Sequence, residues 1–405
     1  MRIAFFSPVN PVPSGISDYS ESLLEALATR AEVDLFVDGY APSAPWIAER
    51  LRVVDCRKED PAPRLDGYDA VLYQMGGTPG HHRYIYELML RRPGVVVLHD
   101  LMYQGFFGDL YLKEGRPEAY RREMVEAYGR EGEALAEEIV AGKQVPFETL
   151  RRFPLNRKMI HAAQGVIVHS ASALAEVRAV EPSRRSRLIP HHDFGWAHWP
   201  ADFDPELARR AARERLGLPQ DAPICSSFGL IVPTKRVEVT LRAFAQVREE
   251  LPGSRYCLVG EPKYQVLEYI RFLGLEDAVT ITGHVPMEVF LAHLHAADVC
   301  LNLRYPSQGE TSGALLRILA LGKPTIVTDH GWFAELPEAA CAKVAVDECE
   351  DEVVTGFLRE LFVNAPYRDQ MGRNAHAYVQ GQCALERVAE EYLAFLAECQ
   401  PGRGA

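Results

Sequence analysis

The sequence predicts an α/β protein made of two Rossmann-like domains, each a doubly wound parallel sheet. Three observations predict it. Short runs rich in Val and Ile recur along the chain, each followed by polar or Gly/Pro punctuation. Helical patterns separate many of these runs, and the runs fall into two sets. The chain has 405 residues, too many for one ordinary core. Continuous apolar strands alternating with helices form parallel sheets covered on both faces.

In the first set the strand runs are RIAFFSP, EVDLFVD, AVLYQMG, GVVVLHD, GVIVHS and SRLIPHH. Residues 101–160 are mostly helical, charged and long, and read as an insertion after the fourth strand. Within it FETLRRFPLNRK carries Arg151, Arg152, Arg157 and Lys158 among aromatics. It reads as a solvated helix face, or as a peripheral contact with an anionic lipid surface at the inner face of the plasma membrane. The join lies near residues 191–222, where DFDPELARRAARERLGLPQDAP holds a short helix with Asp204 as N-cap and Pro205 at its first position. The second set reads PICSSFGL, SRYCLVGE, AVTITGHV, DVCLNLRYP, PTIVTDHG and CAKVAVDE. Between its fourth and fifth runs, GETSGALLRILALGKP predicts a helix capped by Ser312. Leu315, Leu316 and Leu319 give it a buried face, Gly322 ends it and Pro324 prevents its resumption. The last segment, ALERVAEEYLAFLAEC, is an amphipathic helix. The expected domains are 1–195, 196–380 and a terminal helix in 381–405.

Composition narrows the class. Apolar residues are 47% and charged residues 25%, as in soluble globular proteins. A net charge of −12 argues against nonspecific binding to nucleic acid or to an anionic bilayer. Eight cysteines occur without a C-x-x-C pair, and Cys225, Cys257 and Cys300 lie in apolar runs. They predict a reducing compartment and no structural metal. The N-terminal apolar run is too short for a signal peptide, and no stretch of about 18 apolar residues exists to span a membrane. A cytoplasmic protein is expected. The Ala-, Arg- and Pro-rich usage points to a GC-rich bacterial genome. The sequence does not fix an oligomeric state.

In doubly wound sheets ligands bind beyond the carboxyl ends of strands, and with two such domains the default site is a cleft between them. Residues just after strands are therefore the candidates. Gly15, before a helix that starts near Ser17 or Asp18, lets a phosphate approach the backbone, or is a plain turn. His99 and Asp100 follow GVVVLHD. An imidazole there can bind a sugar hydroxyl or stabilise developing positive charge, or be a satisfied core histidine. His81 and His82 are acceptor contacts or surface residues. Gly229 closes the first strand of the second domain, and Lys235 and Arg236 precede a helix. Cations at a helix start oppose its dipole unless an anion such as a diphosphate joins them; otherwise they are a solvated pair. In GETSG the backbone N–H groups of Ser312, Gly313 and Ala314 can take phosphate oxygens, with Glu310 accepting from hydroxyls of an attached sugar.

Together these blocks resemble a retaining glycosyltransferase of the GT-B fold, close to family 4. The resemblance rests on PVPSGISDYS, VVVLHD, VIVHSASALAEV, GLIVPTKRVEVTLRAFAQV, LVGE, ITGHVP and GETSGALLRILALGKPTIVTD, in that order. It implies transfer from a nucleotide-sugar, a UDP- or GDP-sugar, to a hydroxyl acceptor with retention and no essential metal or other cofactor. The acceptor would be a glycan, a lipid-linked sugar or a small metabolite, in polysaccharide or glycoconjugate synthesis. By resemblance Gly15 lies beside the donor phosphates, with Gly229, Thr311, Ser312, Gly313 and Ala314 in the donor site. His99 faces the sugar near the reacting carbon and Lys235 binds the diphosphate. Glu310 grips sugar hydroxyls, Gly283 to Val285 pass near the base, and the final helix crosses back to the first domain. Asp18, Tyr19, His81, His82 and Asp100 fall on the acceptor side.

Two departures matter. The family's second Glu, seven residues on, is replaced: anchoring on GKP puts Arg317 in its place, and counting from Glu310 gives Ile318. We expect Arg317 to contact the ribose or phosphate. The family's Arg after the strand glycine is also missing, because Leu230 follows Gly229, and Arg236 is expected to compensate. Asp202-Phe203-Asp204 spells a D-x-D, the metal signature of a different sugar-transferase fold, but helix capping by Asp204 explains it better. No second carboxylate is placed as a nucleophile, so same-face attack is expected, the acceptor hydroxyl being activated by the leaving phosphate oxygen. The alternatives are an epimerase or phosphorylase on the same fold, a non-catalytic nucleotide-sugar-binding subunit, and an assembly scaffold.

Overall fold

The computed structural model describes residues 1–196, 198–200 and 203–400. The chain divides into two units. Unit 1 holds Met1–Phe194, Gln308–Thr311 and the chain from Leu385; unit 2 holds Gly195–Ser307 and Ser312–Ala384. The short segment 308–311 thus belongs to unit 1, while the chain on either side of it belongs to unit 2.

Unit 1 is a seven-stranded sheet. Its strands are β1 (Arg2–Phe6), β2 (Glu32–Val37), β3 (Arg52–Asp55), β4 (Ala70–Met75), β5 (Val95–Leu98), β6 (Gly165–Val168) and β7 (Ser186–Leu188). The order is β3-β2-β1-β4-β5-β6-β7, every pair parallel. β3 is absent from the sequence expectation, because two valines between charged residues do not stand out as an apolar run. It adds at the sheet edge, pairing Val53 with Leu35 and Val54 with Phe36. The helical insertion therefore follows the fifth strand, not the fourth. Its longest helix, Pro117–Val140, bends at Gly129. Two of its basic residues are engaged within it: Lys158 pairs with Glu123 and Glu126 at 3.0 and 3.2 Å, and Arg157 lies over Tyr128.

Both faces of this sheet are apolar and covered. One packs Phe6, Tyr73, Val96 and Val168 against Ile85, Met89 and Phe106. The other packs Phe5, Leu35, Val97 and Ile167 against the helix Gly15–Ala28 and the final helix Leu385–Glu398. Ser14 caps the first of these helices, accepting from the Ile16 N–H at 3.2 Å. The final helix lies so close over β6 that a Cβ on Gly165 would sit 2.6 Å from the Cys399 sulfur. Tyr392 reaches from it to Tyr19, hydroxyl to hydroxyl at 2.7 Å.

Unit 2 is a six-stranded parallel sheet of β8 (Ile224–Phe228), β9 (Arg255–Val259), β10 (Val279–Ile281), β11 (Val299–Asn302), β12 (Thr325–Thr328) and β13 (Ala342–Val344). Its order is β10-β9-β8-β11-β12-β13. The helix Pro205–Leu216 leads into it, capped by Asp204, whose carboxylate accepts from the N–H groups of Glu206 and Leu207. Asp202 lies outside the described residues. Arg213 on this helix is fully buried and satisfied by Asp298 at 2.7 Å and by the carbonyls of Ala296, Gln220 and Ala222. All eight cysteines are free thiols. No helix among the described residues is long and apolar enough to cross a membrane.

The strand order reverses in both sheets, between β1 and β4 and between β8 and β11. Loops leaving neighbouring strands at such a switch point run apart, which opens a crevice at the carboxyl edge. These are the two predicted Rossmann-like parallel-sheet domains.

Candidate functional site

In unit 2 the switch point is built from the loops after β8 and β11. Gly229 ends the β8 loop's strand side with φ of 86°, and a Cβ there would lie 2.7 Å from the Lys235 Nζ. The left-handed conformation favours glycine, and a side chain there would displace the Lys235 amine. Lys235 folds back over it, and its ammonium donates to the Phe228 carbonyl. Burial, and then the nearby Arg304 guanidinium, push the Lys235 amine down to about 7. Arg236 takes a left-handed conformation before the helix Val237–Glu250. Its guanidinium forms a two-point pair with Glu350, its Nε donating at 2.7 Å, and that carboxylate is only 3% exposed. This corrects the expectation that Arg236 serves a diphosphate. A buried carboxylate left without its partner is costly, so the structure commits this arginine to anchoring the helix Glu350–Val363. Leu230, where the resemblance expects an arginine, is 52% exposed.

The β11 loop is tied to the β8 loop. The Tyr305 N–H donates to the Thr234 carbonyl at 2.8 Å, and the Arg304 Nη1 donates to the Thr234 hydroxyl at 3.2 Å. The Arg304 N–H donates to the buried Thr328 hydroxyl at 2.9 Å. Arg304 went unnoticed because the run DVCLNLRYP takes it in, whereas the strand itself ends at Asn302. Ser312 caps the helix Gly313–Ala320, accepting from the Leu315 N–H at 3.1 Å. Gly313 and Ala314 fill the first turn, where N–H groups have no acceptor within the helix. Ile318 is fully buried. Arg317 is half-buried with its guanidinium 5.2 Å from the Trp196 ring, a cation–π contact. Gly283 has φ of 70° in the loop after the edge strand β10, and Val285 packs against the apolar layer containing Phe228.

The GETSG motif divides between the units, because Glu310 and Thr311 belong to unit 1. There the Gln308 carbonyl accepts from the Leu101 N–H at 2.9 Å. Gly309 has φ of 87°, and a Cβ on it would lie 2.8 Å from Leu101. The Glu310 carboxylate turns back and accepts from the Gln308 N–H at 2.6 Å.

In unit 1, Gly15 is exposed with nothing within 4 Å of a Cβ position, so the protein itself does not demand a glycine. Asp18 accepts from the Asn10 side chain at 3.2 Å. Asp100 accepts from the Gly77 N–H at 2.8 Å and so ties the β4 and β5 loops together. His99 is half-buried, and its Nε2 lies 2.8 Å from the side-chain amide of the buried Gln74. Burial, and next to it His169, hold this imidazole well below its usual range, hence neutral.

Two acceptor-side expectations are corrected here. Tyr19 is fully buried, stacked on His192 at 4.2 Å and edge-on to His99 and His191, with its hydroxyl taken by Tyr392. His82 is also buried, with Nδ1 on the Thr78 carbonyl at 3.0 Å, and burial lowers it to about 4. Both are core residues, because each sits on the inner face of an amphipathic helix. His81 stays half-exposed, lowered by partial burial. The imidazole cluster of His99, His169, His191 and His192 around Tyr19 was not legible in the sequence, since it gathers residues that follow three different strands, β5, β6 and β7.

Comparison with known proteins bears on these loops. Residues 208–378, within unit 2, match the family model described as glycosyl transferases group 1. D-inositol 3-phosphate glycosyltransferase of Kineococcus radiotolerans is 28% identical over 275 residues, 62% of this chain and 61% of that protein. The enzyme of the same name from Streptomyces avermitilis is 32% identical over 253 residues, 58% of this chain and 53% of that protein. The chain thus spans about half the length of the curated relatives it matches. Among solved structures, sucrose-phosphate synthase of Thermosynechococcus elongatus superposes with a TM-score of 0.68 at 19% identity, covering 98% of each chain. HepE of Anabaena, in complex with UDP and glucose, superposes with a TM-score of 0.65 at 16% identity over 98% of this chain and all of that one. The fold is that of the GT-B glycosyltransferases.

Proposed function

We propose that the protein is a glycosyltransferase that moves a sugar from a nucleotide-sugar to a hydroxyl acceptor with retained anomeric configuration. The observation that carries this reading is Lys235. It is a desolvated amine seated on Gly229 at the switch point of a Rossmann-like sheet. On the neighbouring strand, the chain past β11 leads to the capped start of the helix Gly313–Ala320. A buried amine beside a helix start suits a diphosphate.

In this reaction the bond between the anomeric carbon and the phosphate oxygen breaks, and its electron pair leaves with the diphosphate. The acceptor oxygen forms the new bond on the same face and gives its proton to the departing phosphate oxygen. Lys235 and the first-turn N–H groups of Gly313 and Ala314 meet the charge that develops on the leaving group. Glu310 accepts from sugar hydroxyls, and His99 offers a neutral imidazole and its backbone carbonyl to the reacting sugar. No step requires a metal ion. Asp18, His81 and Asp100 are the candidate acceptor contacts. The names of the curated relatives make inositol phosphates the first acceptors to try, followed by glycans and lipid-linked sugars of cell-surface polysaccharides. We place this chemistry in the cytoplasm.

One observation favours a second reading, a non-catalytic nucleotide-sugar-binding subunit: neither Arg317 nor Ile318 supplies the second carboxylate. Turnover separates the two. Purified protein is incubated with uridine, guanosine, thymidine and adenosine diphosphate-sugars, with and without acceptors, and nucleoside diphosphate release is followed. Release from one preferred donor, lost in Glu310→Ala, is expected. Binding of a donor without release under any acceptor supports the subunit reading, and no binding across the panel defeats both.

A further inference from the structure

We propose that Gln74 is a positioning residue for His99: its buried side-chain amide holds the imidazole in the orientation and tautomer with which it meets the reacting sugar. This rests on the role given to His99 above and names the residue through which the protein enforces it.

The placement comes from the sheet. β4 and β5 are neighbours and parallel, with Gln74 opposite Val97 and Met75 opposite Leu98. The chain leaving β5 is fastened to the end of β4 at successive points. The His99 N–H donates to the Met75 carbonyl at 3.0 Å, the His99 Nε2 meets the Gln74 amide at 2.8 Å, and the Asp100 carboxylate accepts from the Gly77 N–H at 2.8 Å. Tyr19 stands edge-on to the ring at 4.9 Å, and the His169 ring lies 5.1 Å away. Backbone and Nε2 are thus both committed to β4. The His99 Nδ1 is bonded to no described residue and is not sealed from solvent, so it is the nitrogen left for a ligand.

The energetics supply the reason. Gln74 is fully buried, and strand alternation puts it on the face of Leu72, which is otherwise built from Phe5, Leu35, Val97 and Ile167. Its amide uses one atom on His99, and its other amide atom has no partner among the described residues. An unpaired polar atom in a core weakens the fold, and a methionine of similar shape would fill the place without that cost. Packing alone therefore gives no reason for an amide at this position; the imidazole does. The bond made by one ring nitrogen sets the tautomer, and with it whether the other nitrogen donates or accepts. Gln74 thereby decides what Nδ1 offers to a sugar. The titratable groups that act on the ring from the surrounding elements are Tyr19, His82, His169 and His192, none of them a carboxylate. Asp100, the neighbouring carboxylate, is held by the Gly77 N–H. Gln74 is a neutral partner where a carboxylate would hold a proton on the ring.

The test joins NMR of the histidine ring nitrogens with kinetics, on Gln74→Met and Gln74→Glu. The His99 ring signals are assigned by their loss in His99→Gln. Wild type is expected to show one neutral tautomer. Gln74→Met should give signals averaged between the two tautomers. Gln74→Glu should give a ring protonated on Nε2 that becomes charged at a higher pH than in wild type. In turnover of the preferred nucleotide-sugar, Gln74→Met should lower kcat by roughly tenfold to a hundredfold and change the donor KM by less than about threefold. Gln74→Glu should keep most of kcat at high pH and lose it as pH falls, because an imidazolium opposes positive charge developing on the sugar. The melting temperature of Gln74→Met should equal or exceed that of wild type. Unchanged His99 signals and unchanged kcat in Gln74→Met overturn the proposal. So does a joint loss of kcat, donor affinity and melting temperature, the mark of a structural residue. Wild type without turnover on any donor overturns the donor reading, and the ring signals then decide by themselves whether Gln74 orients His99.

Discussion

Lys235 makes a prediction at the scale of one residue. Its amine titrates near 7 in the empty protein and would be pushed up by a bound diphosphate. Above pH 7 the Lys235 amine is largely neutral without a ligand, so binding draws a proton from solution. Diphosphate affinity should fall as pH rises from 7 to 9. Calorimetry at pH 8 in buffers of different ionisation enthalpy should report uptake of up to one proton, and no uptake would mean that the amine is charged throughout. At this scale the sequence told which residue types follow a strand but not whom they touch. Arg236 and Lys235 are adjacent and looked equivalent. Glu350, which claims Arg236, lies 114 positions away and carries no mark of that partnership. Arg304 was hidden for the opposite reason: LRYP read as the end of a strand run rather than the start of a loop.

At the scale of elements, the ends of β5, β6 and β7 and the first helix of unit 1 meet around Tyr19 through four imidazoles. His169 is lowered to about 4, its Nδ1 on the Ile189 carbonyl at 2.8 Å, and His191 lies well below its usual range, both chiefly by burial. His82, on the helix Pro79–Arg91, is likewise near 4. These groups are neutral when folded and bind protons at about 6.5 when unfolded, so the unfolded chain gains more protons in acid. The stability they contribute is complete above pH 6.5 and is lost as pH falls toward 4. His82 and His169 each account for roughly 3 kcal/mol over that span. The melting temperature should drop steeply between pH 6.5 and 4.5, and His169→Asn should flatten the slope. Parallel curves for wild type and variant would remove His169 from the account. Elements differ in how plainly the sequence announces them. The buried strands were readable because both faces are apolar, whereas β3 escaped because an edge strand needs few apolar residues.

At the scale of the whole molecule, two sheets of the same winding order are served by one chain that does not finish one unit before starting the other. The final helix gives Val388, Tyr392, Phe395 and Leu396 to the core of unit 1. Each such side chain is worth roughly 1.5–3 kcal/mol of burial, and together they rival the roughly 5–15 kcal/mol by which a domain is stable. Deleting residues 385–405 should therefore leave unit 1 unfolded or molten, while unit 2 retains a cooperative melt; limited proteolysis would show which part survives. A unit 1 that stays intact would show that the helix is dispensable. The hydroxyl contact between Tyr19 and Tyr392 then acquires a meaning in time. On the ribosome, the first strands emerge long before the helix that covers them. Until translation has passed all of unit 2, the apolar face around Leu23 and Phe5 has no lid, and the nascent chain must be kept from its neighbours for that interval.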